Sequence, residues 1–146
     1  MKGRLAAFLL LAGTLWAAEQ APSAVRFGKP VEADWRPSTN LPPGAEYHLV
    51  REDPVSHGIQ ALVRFPSGYS VPPHAHSCSE TLVVLSGKLL VAAAGKETVL
   101  TSGDYAFFPP GAEHSLKVGG WGRAVFTATT DGAYDLKPTA PAASRP

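Results

Sequence analysis

Glycine and proline are spread evenly along this chain of 146 residues, and their spacing constrains the fold more than any other feature. The sequence contains 14 glycines and 14 prolines, and proline at this level is nearly twice its average usage of about 5%. Past residue 22, the longest run without either residue is His74 to Ser86. Proline interrupts helix interiors and central strands, and that run contains the strand-forming segment TLVVL. The spacing therefore excludes a helical bundle or a doubly wound α/β fold.

Segments of strand-forming composition follow one another at regular intervals. There are eight of them, at residues 46–51, 59–65, 80–85, 88–93, 98–100, 105–108, 114–118 and 123–129. Turn-forming pairs such as Ser86-Gly87 and Pro110-Gly111 separate them. This pattern is typical of a sandwich or a small barrel, so we predict an all-β fold.

The first residues have the pattern of a secretory signal, which we assign to residues 1–17. Lys2 and Arg4 precede an apolar stretch that ends in small residues. The stretch is shorter than the roughly 20 residues of a bilayer-spanning helix, although an uncleaved N-terminal anchor is the alternative. We expect cleavage after Ala17 or Ala18, export to the periplasm or secretion, and no stable membrane association afterwards.

The rest of the chain divides into an arm, one domain and a tail. Residues 18–43 are polar and rich in proline and are expected to form an arm over the domain, whereas residues 44–137 hold the strand segments. Residues 138–146 have low complexity, which predicts a disordered tail. Because Cys78 is the single cysteine, an exported chain has no internal disulfide and depends on packing, metal or oligomerisation.

The charge of the chain is nearly balanced. Lysine and arginine together number 13, and aspartate and glutamate together number 12. Since no basic stripe interrupts this balance, we expect no nucleic-acid partner.

Three histidines and one glutamate form a candidate metal site. His74 and His76 are two residues apart, so on a strand both side chains share one face. Glu80 follows after a short polar turn, and His114 comes from a separate strand. Imidazole nitrogen and carboxylate oxygen suit Fe, Mn, Ni, Co or Zn, and four protein ligands leave positions open for chemistry. Surface histidines on a loop are the alternative interpretation.

The residues around these four side chains resemble the two motifs of the cupin superfamily. The first reads Gly68-x5-His74-x-His76-x3-Glu80-x6-Gly87, and the second reads Gly103-x5-Pro109-x-Gly111-x2-His114. Val118 stands where the family usually has asparagine, a departure that touches no ligand. The wider resemblance, over residues 41–134, is to small single-domain type-2 cupins of the quercetin-dioxygenase-like kind.

This resemblance implies a double-stranded β-helix, the cupin jelly-roll barrel, with one divalent transition metal inside. The ligands would be His74, His76, Glu80 and His114, with Fe2+ or Mn2+ favoured and Ni2+, Co2+ or Zn2+ as alternatives. In related enzymes the glutamate can also act as a base, a role that falls here on Glu80. Because cupins often dimerise by exchanging edge strands, we expect a homodimer.

Several further residues are expected near the ligands. On regular strands, the residues that alternate with Glu80 or His114 on the same face would point inward, namely Leu82, Val84, Leu116 and Val118. The aromatic candidates for the same lining are Phe107, Phe108 and Phe126, and alternation does not decide which of these three point inward. We interpret Cys78 as an ordinary loop thiol, with a fifth ligand or a redox switch as the alternative. His48 and His57 lie outside the motifs and are expected at the surface.

Three functions are compatible with these residues. The first is a metal-dependent oxidoreductase of the dioxygenase type that acts on a small oxygenated or phenolic molecule. The second is a metal-dependent isomerase or lyase that uses the metal as a Lewis acid. The third is a metal-loaded protein that binds or senses a small ligand without turnover. Whether the chain is an enzyme stays open at this point.

Overall fold

The computed structural model of the protein describes residues 25–139, which form eleven short strands and one turn of 3-10 helix. The expected signal segment, residues 18–24 of the arm and residues 140–146 of the tail lie outside the described residues. In the part that is described, the chain has no helix of the length and apolar character needed to cross a membrane.

The elements are short and follow one another with brief connections. The 3-10 helix is Pro30–Glu32, and the strands are β1 Arg36–Pro37, β2 Glu46–Glu52, β3 Gly58–Phe65, β4 Ser70–Ala75, β5 Glu80–Ser86, β6 Leu89–Ala93, β7 Lys96–Leu100, β8 Tyr105–Phe108, β9 His114–Val118, β10 Ala124–Ala133 and β11 Lys137–Pro138.

The strands form two antiparallel sheets. One sheet has the order β1-β2-β3-β10-β5-β8, and the other has the order β11-β4-β9-β6-β7. From β3 onward the chain passes repeatedly from one sheet to the other, so residues distant in sequence face one another across the interior. The all-β jelly-roll prediction is confirmed.

Three strands, β1, β4 and β11, were absent from the prediction. The reason is clearest in β4, which contains Pro72 and Pro73. Its pairing with β9 shifts register between Val71 and His74, so both prolines fall in the irregular part of the ladder. Proline is tolerated at such a bulge because no ladder donor is required there.

The last strand extends beyond the boundary expected at residue 137. Pro138, the first residue of the expected tail, pairs with His74 in β11. The amide of Thr139 donates to the carbonyl of Pro73 at 3.0 Å. Composition indicated low complexity here, but backbone pairing with β4 holds these two residues on the sheet.

The interior between the sheets is apolar and carries the side chains predicted to face inward. Leu82, Val84, Leu116 and Val118 are all buried. Among the phenylalanines, Phe108 and Phe126 are buried, as expected, whereas Phe107 is 58% exposed. Strand geometry allows only one of the neighbours Phe107 and Phe108 to face inward, because successive side chains on β8 point to opposite faces.

Two glycines with positive φ provide a test of backbone crowding. Gly87 has φ +81°, and a β-carbon added there would lie 2.3 Å from the carbonyl oxygen of Arg123. Gly68 has φ +73° and nothing within 4 Å of the same position. Both sites carry the left-handed backbone penalty, and only Gly87 also carries a clash.

We therefore expect Gly87→Ala to lower the free energy of unfolding by about 3 kcal/mol, the sum of backbone strain and overpacking. The matched variant Gly68→Ala should lose only about 1 kcal/mol, from the backbone penalty alone. Urea denaturation of both variants measures the difference. Equal losses would show that the contact with Arg123 relaxes without cost.

Candidate metal centre

The structure brings all four predicted site residues together. His74 is on β4 and His114 starts β9, and the two are directly paired. His76 follows the end of β4, and Glu80 starts β5 in the opposite sheet. All four are at most 5% exposed, which rules out the alternative of surface histidines.

Backbone carbonyl groups set the orientation of the three imidazoles. His74 Nδ1 lies 2.8 Å from the carbonyl oxygen of Pro72, and His114 Nδ1 lies 3.1 Å from that of Ala112. His76 Nδ1 contacts the carbonyl oxygen of Asp135. A carbonyl oxygen only accepts, so each Nδ1 carries the hydrogen, and in the neutral ring Nε2 presents a lone pair.

These lone pairs converge on one region of the interior. The nitrogen atoms through which the three histidines could bind a metal lie within 4.8 Å of one another. Glu80 Oε2 lies 3.3 Å from His76 Nε2 and 3.5 Å from His114 Nε2. The carboxylate therefore adds a fourth potential ligand to the three histidines.

The hydrogen bonding of this cluster is incomplete without a cation. The Nε2 atoms of His76 and His114 are buried and have no hydrogen-bond partner. With neutral imidazoles and an ionised carboxylate, every group that meets here is an acceptor, and a buried acceptor without a partner costs about 1–3 kcal/mol. A divalent transition metal fits the donor set of imidazole nitrogens and one carboxylate oxygen.

The ionisable groups of the cluster have shifted pKa values. Burial lowers the pKa of His74 to about 4. Burial opposes ionisation of Glu80, but the adjacent imidazoles of His114 and His76 outweigh it and lower the pKa of the carboxyl group to about 2. Burial also opposes protonation of His76, yet the neighbouring Glu80 carboxylate and the carbonyl of Asp135 raise the pKa of that imidazole above its ordinary value. At neutral pH the site therefore holds an ionised carboxylate.

A cavity of about 430 Å³ opens beside the cluster, and His74 and Glu80 line it. Most of the remaining wall is apolar and includes residues of β3 and β10 such as Val63 and Phe126. Residues 38–41, in the segment expected to form the arm, are part of the wall. The site is thus a polar, charged cluster at the wall of a largely apolar cavity.

The expected surface histidine His57 also lines this cavity. Its side chain is 61% exposed, and its Nδ1 lies 2.9 Å from Glu52 Oε1. Glu52 lines the cavity as well. The surface prediction is confirmed for His57, and the structure adds its position at the cavity, which its place outside the motifs gave no reason to expect.

Sequence reasoning missed two residues of the site, Tyr134 and Asp135. The Tyr134 ring lies 4.9 Å from that of His76, and Tyr134 lines the cavity; burial raises the pKa of its phenol. The Asp135 carboxylate accepts hydrogen bonds from the amide and hydroxyl of Ser77, both at 2.7 Å. Both residues follow β10 outside the two motifs, so no spacing in the sequence connects them with the ligands.

Cys78 lies in the loop between His76 and Glu80. It is a free thiol, 7% exposed, and burial raises its pKa. Among residues 25–139, the metal-capable group, whose ligand atoms lie within 4.8 Å of one another, consists of the three histidines and does not include Cys78. Hydrogen bonds on both sides of Cys78 hold this loop in place. The Asp135 carboxylate accepts one from the amide of Ser77, and the Asp131 carboxylate accepts one from the amide of Ser79 at 2.9 Å. These contacts favour the loop-thiol interpretation.

Comparison with known proteins agrees with this fold. The family model described as "Cupin domain" matches residues 61–130. The curated DNA damage-repair/toleration protein DRT102 of Arabidopsis thaliana is 36% identical over 99 residues, or 66% of this chain. The match covers only 30% of that protein's length.

Solved structures with the same fold carry different names. KdgF from Halomonas sp. has a TM-score of 0.61 and 22% identity, over 74% of this chain and 94% of that one. The polyketide cyclase RemF from Streptomyces resistomycificus has a TM-score of 0.68 and 13% identity, over 82% and 89%. A predicted oxalate decarboxylase from Thermotoga maritima has a TM-score of 0.63 and 23% identity, over 73% and 98%. Residues 61–130 therefore match the cupin-domain model, and the chain shares the jelly-roll fold of these solved structures.

Proposed function

We propose that this protein is an exported, metal-dependent oxidoreductase of the dioxygenase type that acts on a small phenolic or enediol molecule. The observation that carries the proposal is the convergence of three imidazoles and Glu80 beside a largely apolar cavity of about 430 Å³. A cavity of this size and character accommodates a small organic ligand. The signal pattern of residues 1–17 supports export.

The metal would be held by His74, His76, Glu80 and His114, and we favour Fe2+ or Mn2+ over Ni2+, Co2+ or Zn2+. When bound, it would supply Lewis acidity and redox chemistry with O2 at its open coordination positions. Three imidazoles of fixed orientation and one carboxylate leave such positions on a five- or six-coordinate ion.

The chain's own residues would prepare the substrate. Glu80 lines the cavity and is ionised at neutral pH, so its carboxylate can accept the proton of a substrate hydroxyl group whose acidity a bound metal would raise. The carbonyl groups of Pro72, Ala112 and Asp135 keep the three imidazoles aimed at the same point. Apolar walls limit the access of water to the site and strengthen its electrostatic interactions.

Oxygen uptake tests the proposal. Protein loaded with Fe2+ or Mn2+ should consume O2 when it is supplied with flavonols, catechols or other enediols, and Glu80→Gln should lower the rate at least about 100-fold, the contribution of a positioned base. Protein loaded with Zn2+ provides the redox-inactive control. No oxygen uptake with either Fe2+ or Mn2+ across these substrates would overturn the oxidoreductase proposal.

The affinity for metal should depend on pH in a definite direction. The pKa of His76 is raised, so as the pH falls this imidazole takes up a proton at a higher pH than an ordinary histidine does. A metal ion that binds to His76 must displace that proton. We expect affinity to be greatest above the His76 pKa and to fall at least about tenfold per pH unit below it. Chelator competition between pH 8.5 and pH 5 measures this slope, and an unchanged affinity across that range would contradict it.

A metal-dependent isomerase or lyase is the second candidate. It is favoured by the ionised Glu80, which can move a proton on a metal-polarised substrate without O2. Exchange of substrate protons with solvent under anaerobic conditions would support it. Retention of a ligand without turnover, unaffected by Glu80→Gln, would instead support a binding protein.

We also propose a homodimer. Strand β8 lies at the edge of its sheet, and its outward side chains Tyr105 and Phe107 are 70% and 58% exposed. An apolar face on an open edge is a suitable surface for a second copy of the chain. Light scattering on the purified protein tests this proposal.

A further inference from the structure

Tyr134 occupies a position between the metal cluster and the cavity. It follows β10, and its ring lies 4.9 Å from that of His76 at an interplanar angle of 37°. It lines the same cavity as His74 and Glu80. A group on this side chain can therefore meet a molecule that reaches the cluster.

Within the described part of the chain, the phenolic hydroxyl of Tyr134 has no protein partner. Among residues 25–139 no hydrogen bond to this hydroxyl is found. The hydroxyl is also absent from the set of completely buried polar atoms that lack a partner, so it is not completely buried. Tyr69 provides the contrast, since its hydroxyl donates to the carbonyl oxygen of Pro42 at 2.5 Å. Largely buried tyrosines usually satisfy their hydroxyl, so the Tyr134 donor is available to a ligand.

The polar groups at the metal cluster are otherwise acceptors. Glu80 presents a carboxylate, and the imidazoles present Nε2 lone pairs because Nδ1 carries the hydrogen. A ligand oxygen with negative charge, such as that of a phenolate or an enediolate, needs a donor to replace water. Tyr134 lines the cavity, lies beside His76 of the cluster and can supply one.

We propose that the Tyr134 hydroxyl donates a hydrogen bond to an oxygen of a phenolic or enediol ligand in this cavity. This assignment rests on the proposed function, because that proposal defines the ligand class. Tyr134 then selects for ligands that carry an oxygen anion beside the cluster, while the apolar walls accept the hydrocarbon part.

Binding of 4-nitrocatechol to the Mn2+-loaded protein tests the assignment. Its absorption changes when it binds a metal, so affinity can be measured by titration. Tyr134→Phe should weaken binding at least about tenfold, the effect of losing one hydrogen bond to a charged group. The exposed Tyr105→Phe is the matched control and should leave the affinity unchanged.

Two measurements separate ligand contact from a structural role. Phenylalanine retains the ring beside His76, so Tyr134→Phe should bind Mn2+ as tightly as the wild type, with the same electron paramagnetic resonance spectrum. In Zn2+-loaded wild-type protein labelled at tyrosine Cζ, the Tyr134 resonance should shift when 4-nitrocatechol binds. The signal that is missing from the spectrum of Tyr134→Phe identifies this resonance, and the shift itself is measured on the wild-type protein.

The possible failures are distinguishable. If wild-type protein binds 4-nitrocatechol and Tyr134→Phe binds it equally well, or the Cζ resonance does not move, the role of Tyr134 is overturned and the proposed function stands. If Tyr134→Phe weakens Mn2+ binding, the residue acts through His76 and the assignment is again wrong. If metal-loaded wild-type protein does not bind 4-nitrocatechol at all, the proposed ligand class fails, and the assignment fails with it.

Discussion

Replacing His74 and His114 together by alanine is expected to lower the affinity of the protein for divalent transition metals by at least about 100-fold. Loss of a partner that only orients a ligand costs 10- to 100-fold, and this variant removes two of the four potential ligands. His76 and Glu80 would remain, and two ligands seldom hold a transition metal against water. Elemental analysis of the purified protein and calorimetric titration with Mn2+ measure the loss.

The control for this experiment removes the same number of imidazoles elsewhere. His48 and His57 lie outside the metal-capable group, so His48→Ala combined with His57→Ala should retain the metal. Thermal unfolding of both metal-free proteins shows whether each variant is folded. A full complement of metal in His74→Ala/His114→Ala would show that the metal binds elsewhere.

Truncation of Phe126 is expected to have the largest effect on stability. Its side chain is 2% exposed and meets the ring of Phe65 edge-on, with centroids 4.9 Å apart. Phe126→Ala should lower the free energy of unfolding by about 3–5 kcal/mol, because it removes buried apolar area and leaves a space that the barrel cannot close. Urea denaturation monitored by circular dichroism measures this loss.

The matched control is Phe107→Ala, the same substitution on a neighbouring part of the same sheet. Phe107 is 58% exposed, so we expect a loss of about 1 kcal/mol or less. A loss at Phe107 as large as that at Phe126 would indicate that this face is covered, as the proposed homodimer requires. In that event the loss should depend on protein concentration.

The alternation of side chains along a strand predicted which residues face the interior of the barrel wherever the strands are regular. Leu82 and Val84 share the parity of Glu80, and all three are buried, since successive side chains on a strand point to opposite faces. The same rule could not choose between Phe107 and Phe108, because both are apolar and either phase was compatible with the composition. Only the pairing of β8 with β5 determined which of the two faces inward.

Strand β4 shows why local composition underestimates the sheets. Pro72 and Pro73 argue against a strand when only their neighbours are considered. In the folded chain, β9 on one side and β11 on the other pair with the residues that follow them. Strand formation here is decided by partners distant in sequence, which propensity does not include.

The sequence by itself determined the all-β class and four residues that meet at one point, because glycine and proline spacing and two short motifs are local properties. The tertiary structure alone decided what surrounds that point. Asp135 is 59 residues from His76 in the sequence, and its carbonyl nevertheless sets the orientation of that imidazole. Tyr134 reaches the cavity for the same reason: it lies in the segment that leads from β10 to β11, and β11 pairs with β4.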